Sequence, residues 1–477
     1  MLEKFYITTP IYYSNDVPHI GHTGTTLFAD IIARHHRLTG KQVLFLTGLD
    51  EHGEKVALAA EKMGKDPTTF VDELAIQWQE YWNQLNISQD IFMRTTLPGH
   101  TKVVHELLTK LKDKGDIYKG LYKGIYCVGC EEFKSEKDLV DGKCPEHRPD
   151  QIEYKEEENY FFRLSKYIPT VKKYLEDGTL PLIPENKKKE MLSRLEDEIS
   201  DLSISRQNVK WGIPLPWDSS QTTYVWAEAL MNYYSALEIW NKQDFWPANV
   251  HTLGKGNNWF HSVIWPALLL ALEIELPKEI YVHGYYNVEG QKMGKSLGNV
   301  ISPKELIAKY GVDGTRYLLA ASMPYASDSD VSYKWFDEKY NSDLANGLGN
   351  LISRVAKLAD TPKKAKEYGD LIKSNDVIAK AYEEFRLHDV VAEIQKLVNE
   401  ANEYLNKEAP WKKEGEEQTA ILQKVVEDIL VIGVLLDPII PETASIIKDI
   451  FASEGTSTVK PLFLRVRPDV GSNPAHK

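Results

Sequence analysis

Apolar positions in the first two-thirds of the chain follow two patterns, short continuous runs and helical stripes. The runs at 5–8, 42–47 and 280–285 are typical of buried strands. Apolar residues recur at helical spacing from Thr23 to Leu38, and helical patterns continue from Lys55 to Lys112. Strands that alternate with helices in this way indicate an α/β fold built on a parallel sheet.

This pattern changes twice further along the chain. From about Ile117 it gives way to short strands and turns, and after about Tyr333 strands largely disappear. Helical stripes then cover 341–358, 377–405 and 419–436. The third stripe is apolar nearly all round towards its end, so we expect a central, buried helix there.

Length and composition narrow the class of protein. A chain of 477 residues is long for one core, so two or three domains are expected. The net charge of −13 excludes a generally basic nucleic-acid coat, although a local basic track for RNA stays possible. The first residues lack a signal-peptide pattern, and apolar runs are too short to span a bilayer. We therefore expect a soluble, cytoplasmic protein without a membrane partner.

His19, Gly21 and His22 stand where the loop after the first strand becomes the first turn of a helix. Such a turn offers unpaired backbone N–H groups and the positive end of the helix dipole, which together bind anions. The two imidazoles share a face, and Gly21 lets a flat ligand approach the backbone. We interpret this turn as a nucleotide site; the alternative is a helix cap with two exposed histidines.

Lys292 and Lys295 lie on a loop between Gly290 and Gly298, after the third apolar run. They supply two ammonium groups, although clustered lysines are also typical of a solvated basic loop. Asp50 follows the second apolar run at another strand-to-helix junction. Because ligands bind outside the carboxyl ends of parallel strands, we expect Asp50 to meet the same ligand as the two histidines.

The three cysteines of the chain fall within one short segment, which argues against a disulfide scaffold. Cys127 and Cys130 are followed, after thirteen residues, by Cys144 and His147. Three thiolates and one imidazole match a closed, tetrahedral zinc site, which is structural because it leaves no open position. The alternative is a pair of unligated thiol turns.

The histidine turn and the lysine loop resemble, in this order, the HIGH and KMSKS signatures of class I aminoacyl-tRNA synthetases. Gly294 replaces the first serine of the second signature. Further stretches narrow the resemblance to the methionyl-tRNA synthetase family and extend it over essentially the whole chain. They are Thr9–Tyr13, Thr47–Gly53, the cysteine segment, Val282–Tyr285 and Asn341–Leu351. The insertion has no room for the large editing domain of the leucine, isoleucine and valine enzymes.

This resemblance implies activation of L-methionine by ATP with Mg²⁺, followed by transfer to tRNA(Met). It assigns catalysis to His19, His22, Lys292 and Lys295, with Lys295 the more critical lysine. Gly21, Arg206 and Lys295 fall on ATP-binding positions. No covalent enzyme intermediate is needed, since the methionine carboxylate attacks the α-phosphate directly, and catalysis consists of positioning and charge stabilisation.

The same resemblance gives a methionine pocket in which Asp50 holds the ammonium group. Its members are Tyr13, Asp50, Trp226, Ala229, Leu230, Tyr233 and His261. We expect the pocket to select methionine by shape, with a weak hydrogen bond from Tyr13 and His261 to the thioether sulfur. The alternative is that both are packing residues.

Two positions depart from the family pattern. Glu228 stands where aspartate is usual, and Gly256 replaces an aspartate near the nucleotide. The second change puts the contacts of Arg206 in doubt, because this arginine then needs another counter-ion.

The helical part carries the residues that the resemblance assigns to the anticodon, which is CAU. Asn350 and Arg354 are four apart, so they share a helix face, and Trp411 follows a proline that interrupts the helical pattern. Unpaired bases are read by stacking and by hydrogen bonds to their edges, which these groups provide. The alternative is a core tryptophan with two solvated polar residues.

These observations predict a Rossmann-like parallel-sheet catalytic domain, split by a zinc-bearing insertion and followed by an α-helical bundle. The predicted limits are 1–116 and 221–332 for the catalytic halves, 117–220 for the insertion and 333–477 for the anticodon-binding bundle. We expect a monomer, since no appended C-terminal dimerisation domain follows the bundle. A small nucleotidyltransferase or a non-catalytic tRNA-binding paralogue are the alternatives.

Overall fold

The computed structural model describes residues 2–134, 139–145, 151–293, 299–323, 325–359, 363–452 and 460–467. Within these ranges, no helix is long and apolar enough to cross a membrane.

The strands of the described residues are distributed over four sheets. In chain order they are β1 (Lys4–Tyr13), β2 (Gln42–Asp50), β3 (Ile91–Arg94), β4 (Ile117–Cys127), β5 (Glu132–Lys134), β6 (Ile152–Phe162), β7 (Leu182–Ile183), β8 (Leu202–Ser203), β9 (Ser205–Arg206), β10 (Pro214–Leu215), β11 (Asp218–Thr223), β12 (Val250–Gly254), β13 (Ile280–His283), β14 (Tyr286–Val288), β15 (Gln291–Lys292) and β16 (Ser329–Val331).

The helices form most of the remaining chain. They are α1 (Ile20–Leu38), α2 (Glu54–Lys62), α3 (Pro67–Gln84), α4 (Pro98–Asp113), α5 (Leu164–Asp177), α6 (Glu185–Arg194), α7 (Val225–Leu230), α8 (Asn232–Ile239), α9 (Trp265–Leu272), α10 (Pro303–Ala321), α11 (Tyr333–Lys339), α12 (Gly349–Val355), α13 (Tyr368–Lys373), α14 (Asp376–Glu383), α15 (Leu387–Glu408), α16 (Gly415–Leu436) and α17 (Pro441–Ala452).

The largest sheet is six-stranded and parallel, in the order β3-β2-β1-β12-β13-β7. The strand order reverses between β1 and β12, so a crevice opens outside the carboxyl ends of these two strands. One apolar core lies on each face of this sheet, the first continuous with the C-terminal helices. The predicted Rossmann-like sheet is confirmed, and its switch point fixes where a ligand binds.

The chain between β3 and β12 forms smaller antiparallel sheets. One has the order β5-β4-β6-β8 and another the order β10-β11-β9. The β4–β6 hairpin pairs over its full length, from Ile117 against Phe162 to Cys127 against Ile152. The first cysteine, Cys127, is the last residue of β4 in this hairpin. The domain limits given above remain predictions; β7, within the range assigned to the insertion, pairs with β13 of the main sheet.

Helices fill the C-terminal part, as predicted. The stripe predicted over 377–405 is two helices rather than one, because Phe385 adopts a φ of 58° and ends α14 before α15 begins. The stripe over 341–358 begins as a π-helical segment, Tyr340–Leu348, that continues into α12. The predicted central helix is confirmed, since α16 buries ten residues along its length.

Two predictions about individual strands of the sheet were wrong. The first strand does not stop at Thr8: β1 continues through Pro10 to Tyr13, with a shift of register between Thr8 and Ile11. Proline has no backbone N–H to donate to the neighbouring strand, and the shift of register accommodates Pro10. The range 55–112 is not wholly helical, since it contains the edge strand β3, whose four residues are too short to show a period.

A buried arginine joins the parallel-sheet part to the C-terminal helices. Arg316, on α10, is fully buried and its Nη2 donates to Asp30 Oδ2 of α1 at 2.7 Å. Its Nε donates to the carbonyl of Ile439 at 2.7 Å and its Nη2 to that of Pro438 at 3.1 Å. Its Nη1 donates to the carbonyl of Leu85 at 3.0 Å. The guanidinium therefore connects α1, the end of α3 and the turn between α16 and α17.

Candidate active site

A small cavity opens at the switch point of the parallel sheet. Its empty volume, which includes the open solvent at its mouth, is about 230 Å³. It is lined by Pro10, Ile11, Asp50, Trp226, Ala229, Leu230, Asn232, Tyr233 and His261. Six of the seven residues predicted to bind methionine thus surround one space. The seventh, Tyr13, meets the ring of Trp226 edge-on at 5.9 Å.

Asp50 ends β2 and is the acidic group of the cavity. Its side chain is buried, and Oδ1 has no hydrogen-bond partner among the described residues. Burial, together with the nearby carboxylates of Glu228 and Glu131, raises the pKa of Asp50 well above its usual value. A ligand cation placed here would supply the missing partner and favour the ionised carboxylate.

Aromatic rings form one wall of the cavity. The indole of Trp226 stacks on Phe260 with ring centroids 3.7 Å apart and planes 6° from parallel. Trp226 lies on α7, and Phe260 begins a π-helical segment, Phe260–Ile264, that leads into α9. Wide, flat apolar surface of this kind suits an unbranched aliphatic side chain.

A hydrogen-bond chain orients His261 at the floor of the cavity. Its Nδ1 lies 3.0 Å from the carbonyl of Asn257, which can only accept, so Nδ1 carries the proton. Its Nε2 then accepts from the hydroxyl of Tyr233 at 2.7 Å. Burial lowers the pKa of His261 to about 4. The expected hydrogen bond from His261 to a sulfur therefore lacks a donor, and only Tyr13 remains for that role.

Asn232 also lines the cavity, although no sequence pattern marked it as a pocket residue. Its side chain is buried, Nδ2 donates to the carbonyl of Ala229 at 2.6 Å, and Oδ1 has no partner among the described residues. It begins α8 immediately before Tyr233. Its place between the predicted pocket residues Leu230 and Tyr233 was the only available signal.

The histidine turn caps α1 as the spacing predicted. His19 is the N-cap, and its Nδ1 accepts from the backbone N–H of Gly21 at 3.0 Å. The rings of His19 and His22 stack with centroids 3.7 Å apart. A Cβ on Gly21 would lie 2.9 Å from the His19 ring, so glycine permits this arrangement. The helix-cap and nucleotide-site interpretations are compatible, since the cap itself brings the imidazoles together.

Both imidazoles are neutral at physiological pH. Burial and the positive charge of Lys55 lower the pKa of His19 to about 4, and burial lowers that of His22 further below its usual value. A bound phosphate would oppose this shift, because a nearby negative charge raises the pKa of an imidazole.

The lysine loop follows a small three-stranded sheet of order β15-β14-β16. Lys292 belongs to β15, and its backbone pairs with Asn287 of β14. The side chain of Lys292 and the whole of Lys295 lie outside the described part of the chain.

Gly256 makes room for a tyrosine. A Cβ on Gly256 would lie 2.2 Å from the hydroxyl oxygen of Tyr285. Lys255 lies over the same ring at 4.7 Å and its Nζ donates to both carboxylate oxygens of Asp328 at 2.8 Å. The tyrosine therefore takes the space that an aspartate side chain would need, and Asp328 becomes the counter-ion of Lys255.

Arg206 has a carboxylate partner of its own. It is buried, its Nε donates to Glu157 Oε2 at 3.0 Å, and its guanidinium lies 4.2 Å from the ring centroid of Tyr126. Glu54 Oε2 lies 3.7 Å from its Nη2. Glu157, on β6, is therefore the counter-ion of Arg206, and the aspartate that Gly256 replaces is not needed for this role.

Glu228 joins two imidazoles in the interior. Its Oε1 lies 2.7 Å from His52 Nδ1, and its Oε2 lies 2.8 Å from His100 Nε2. His100 Nδ1 lies 2.7 Å from Ser235 Oγ. Burial raises the pKa of Glu228, but the two imidazoles lower it more, so it ends below its usual value. The extra methylene relative to aspartate lets one carboxylate reach both rings.

The three cysteines lie together. Their sulfur atoms are all within 4.8 Å of one another, with Cys130 and Cys144 Sγ 3.6 Å apart. Two ligands of a tetrahedral zinc with Zn–S bonds of about 2.3 Å are separated by ~3.8 Å, so the cluster fits that ion. The fourth predicted ligand, His147, lies outside the described residues.

The cysteine segment touches the cavity. Trp226 Nε1 donates to the carbonyl of Cys130 at 3.2 Å, and the hydroxyl of Tyr224 donates to that of Glu131 at 2.5 Å. Glu131 Oε1 accepts from the backbone N–H of Lys55 at 2.9 Å. The cysteine turn therefore holds one wall of the cavity and the start of α2.

The residues predicted to read the anticodon lie close together on the helical part. Asn350 and Arg354 are on α12, and Trp411 is in a short 3₁₀ segment, Pro410–Lys412, after α15. Asn350 is exposed and Trp411 is 46% exposed. The alternative of a core tryptophan does not fit this exposure.

Two family profiles match the chain. The one described as tRNA synthetases class I (M) matches residues 5–153 and 149–356. The one described as the anticodon binding domain of methionyl tRNA ligase matches residues 359–462.

Curated relatives and a solved structure agree with these profiles. The methionine--tRNA ligase of Thermotoga maritima is 42% identical, over 92% of this chain and 74% of its own length. That of Thermosynechococcus vestitus is 40% identical, over 94% and 90%. The Mycobacterium tuberculosis methionyl-tRNA synthetase in complex with methionyl-adenylate superposes with a TM-score of 0.88 at 32% identity, covering 98% of this chain and all of that one.

Proposed function

Because this chain belongs to the class I methionyl-tRNA synthetases, we propose that the cavity at the switch point binds methionine and that the first turn of α1 binds ATP beside it. The enzyme activates L-methionine with ATP to methionyl-adenylate and pyrophosphate, and then transfers methionine to tRNA. One observation carries the site assignment: six predicted methionine-binding residues line one cavity that contains Asp50 Oδ1, which has no hydrogen-bond partner in the described part of the chain.

Methionine enters this site with its ammonium group on Asp50. The charge pairing restores the ionised carboxylate that burial disfavours. The side chain lies against Trp226, Ala229, Leu230 and Tyr233, and the hydroxyl of Tyr13 faces the sulfur. Apolar pockets separate side chains that differ by one methylene by about 1–3 kcal/mol, so shape supplies most of the selection.

ATP is held by the turn at His19, Gly21 and His22, with Lys292 and Lys295 on its phosphates. It enters as its Mg²⁺ complex, in which the ion neutralises the leaving pyrophosphate. The imidazole N–H groups donate to phosphate oxygens as charge develops there, and one such donor is worth about 10² to 10³ in rate. Arg206 contributes to ATP binding and remains paired with Glu157.

The helical part binds tRNA, and we propose that Asn350, Arg354 and Trp411 read the bases of a CAU anticodon. An exposed indole beside an amide and a guanidinium matches the groups that recognise unpaired bases. We further propose that zinc is held by Cys127, Cys130 and Cys144, with His147 as fourth ligand. When bound, the ion ties the cysteine turn together and takes no part in the reaction. A monomeric state and a cytoplasmic location stay predictions.

Exchange of pyrophosphate into ATP, measured with each of the twenty amino acids, tests the proposed function. We expect exchange that depends on methionine. Substitution of His19→Ala or Lys295→Ala should each reduce it by about two to three orders of magnitude. Exchange at the parental rate in Lys295→Ala would refute the role of that lysine, and no exchange with any amino acid would favour a non-catalytic tRNA-binding protein.

A further inference from the structure

We propose that Asn232 is a second acceptor for the ammonium group of methionine, beside Asp50, and that it gives the cavity its preference for a free α-amino acid. The proposal deepens the function stated above and rests on it.

Asn232 reaches the cavity from the start of a helix. It is the first residue of α8, its side chain is fully buried, and it lines the same cavity as Asp50. Its Nδ2 donates to the carbonyl of Ala229 at 2.6 Å, and because a carbonyl can only accept, this contact identifies the nitrogen of the amide. The oxygen lies on the other side of the amide carbon, so it is directed away from Ala229. This Oδ1 has no hydrogen-bond partner among the described residues.

The side-chain donors that line the cavity are already engaged. The indole N–H of Trp226, the hydroxyl of Tyr233 and the Nδ1–H of His261 each donate within the protein. Two buried acceptors, Asp50 Oδ1 and Asn232 Oδ1, are left without a partner in the described part of the chain. A buried acceptor without a donor costs free energy, so the cavity fits a ligand group that supplies several donors.

Methionine has one group that meets this need. Its ammonium carries three N–H donors, whereas its carboxylate oxygens and its thioether sulfur can only accept. The cavity is small, with an empty volume of about 230 Å³, so a bound methionine contacts its lining on all sides. One donor of the ammonium meets Asp50, and a second is the only donor on methionine that can meet Asn232 Oδ1.

Two acceptors select a different class of ligand from one carboxylate. Asp50 alone would attract an ammonium by charge, whatever the directions of its N–H bonds. An amide oxygen carries no net charge, so Asn232 rewards a donor that points at it. An α-hydroxy acid offers one donor and cannot meet both acceptors. The pair therefore favours a protonated primary α-amine.

Asn258 provides a matched control. It is also a buried asparagine, and it lies three residues before His261 but is not among the residues that line the cavity. Its Oδ1 accepts from the hydroxyl of Ser262 at 2.6 Å, so its acceptor is satisfied within the protein. Asn258→Ala removes the same atoms as Asn232→Ala without removing an acceptor that faces the ligand.

The experiment measures the affinity of the full-length protein for two sulfamoyl analogues of methionyl-adenylate. One carries the ammonium group, and in the other a hydrogen atom replaces it. The ratio of their dissociation constants reports the contribution of the ammonium. Asn232→Ala and Asn232→Leu, the second of which keeps most of the volume, should each lower the preference for the ammonium about tenfold, the worth of a hydrogen bond to a charged group.

Asn232→Asp separates the two atoms of the amide. It keeps the acceptor and loses the donor to Ala229, so it should retain the preference of the parent or exceed it. Asn258→Ala should leave the preference unchanged. In pyrophosphate exchange, Asn232→Leu should raise the KM for methionine about tenfold with kcat nearly unchanged, because the ammonium is held alike before and during the reaction.

Two results would overturn the proposal. Equal weakening of both analogues in Asn232→Ala and Asn232→Leu would mean that Oδ1 faces a water molecule or only supports the helix. A preference in Asn232→Asp as low as that in Asn232→Ala would assign the effect to the donor on Ala229. Methionine-dependent exchange in the parent would uphold the proposed function in either case.

Discussion

The guanidinium of Arg354 lies 4.9 Å from the ring centroid of Trp411. The two residues are far apart in the sequence and belong to α12 and to the 3₁₀ segment after α15. Arginine over an indole is a favourable cation–π pair that holds both side chains in place. The exposed face of Trp411 is thereby presented in a fixed orientation, with Asn350 one helical turn away.

The first prediction concerns this pair. Stacking on an aromatic ring is worth about 1–3 kcal/mol per base, so Trp411→Ala should weaken aminoacylation of tRNA by roughly one to two orders of magnitude. Trp411→Phe keeps a ring and should lose less. Pyrophosphate exchange should be nearly unchanged in both, because the cavity lies in another part of the chain. Equal loss of the two activities in Trp411→Ala would make this residue structural.

The second prediction concerns the glycine beside Tyr285. Gly256→Ala should lower the stability by about 1–3 kcal/mol, because the new methyl group would overlap the tyrosine hydroxyl. Adding Tyr285→Phe should restore the stability. Without the hydroxyl, the nearest ring atom lies 3.4 Å from the added methyl group, which is an ordinary contact. Urea unfolding followed by tryptophan fluorescence measures both.

Gly254→Ala is the control for this series. Its nearest neighbour would lie 3.5 Å from the added methyl group, so it should behave as the parent. A Gly256→Ala variant as stable as Gly254→Ala would show that the Tyr285 ring moves aside without cost.

The third prediction concerns zinc. Elemental analysis of protein purified without chelator should give one zinc per chain. Removal of the metal should raise the KM for methionine about three- to tenfold, the worth of a lost hydrogen bond of ~1 kcal/mol, because the carbonyl of Cys130 holds Trp226. The KM for ATP should change less, and added zinc should restore both. Protein with no metal and a normal KM for methionine would contradict this view of the cysteine turn.

The fourth prediction concerns Glu228. Glu228→Gln replaces one acceptor oxygen with an NH₂ group that faces an imidazole N–H. A buried donor left without its acceptor costs about 1–3 kcal/mol, so the midpoint of urea unfolding should fall. Glu275→Gln, at an exposed position, should not move it. Unchanged stability of Glu228→Gln would mean that the two imidazoles do not both donate to this carboxylate.

The sequence predicted those parts of the site that local spacing determines. His19 and His22 are three apart on one helix, so their proximity follows from helical geometry alone. Cys127 and Cys130 are similarly close within one turn. The Rossmann-like sheet was predicted because buried strands give continuous apolar runs. The cavity residues were predicted from the family resemblance, because they are too far apart in the sequence for local spacing to relate them.

The remaining features depend on contacts between distant segments. The place of Tyr285 against Gly256 cannot be inferred from either residue's neighbours, nor can the choice of Glu157 as partner of Arg206. The contact between Lys55 and the cysteine segment was not predicted, because a lysine in the first turn of a helix is ordinarily solvated. Only the fold brings the carbonyl of Gly129 within 3.3 Å of its ammonium.

The connection made by Arg316 has a consequence for synthesis of the chain on the ribosome. Asp30 belongs to the helix that begins at the histidine turn, so it leaves the exit tunnel early. Its buried partner Arg316 follows much later, and two of the carbonyls that complete the guanidinium's hydrogen bonds belong to Pro438 and Ile439. A nascent chain that has reached only the lysine loop lacks all three. Until Arg316 has been made, the N-terminal half can satisfy Asp30 only through Arg34 and Ser88, and the contact that joins it to the C-terminal helices forms only after Pro438 and Ile439 have been made.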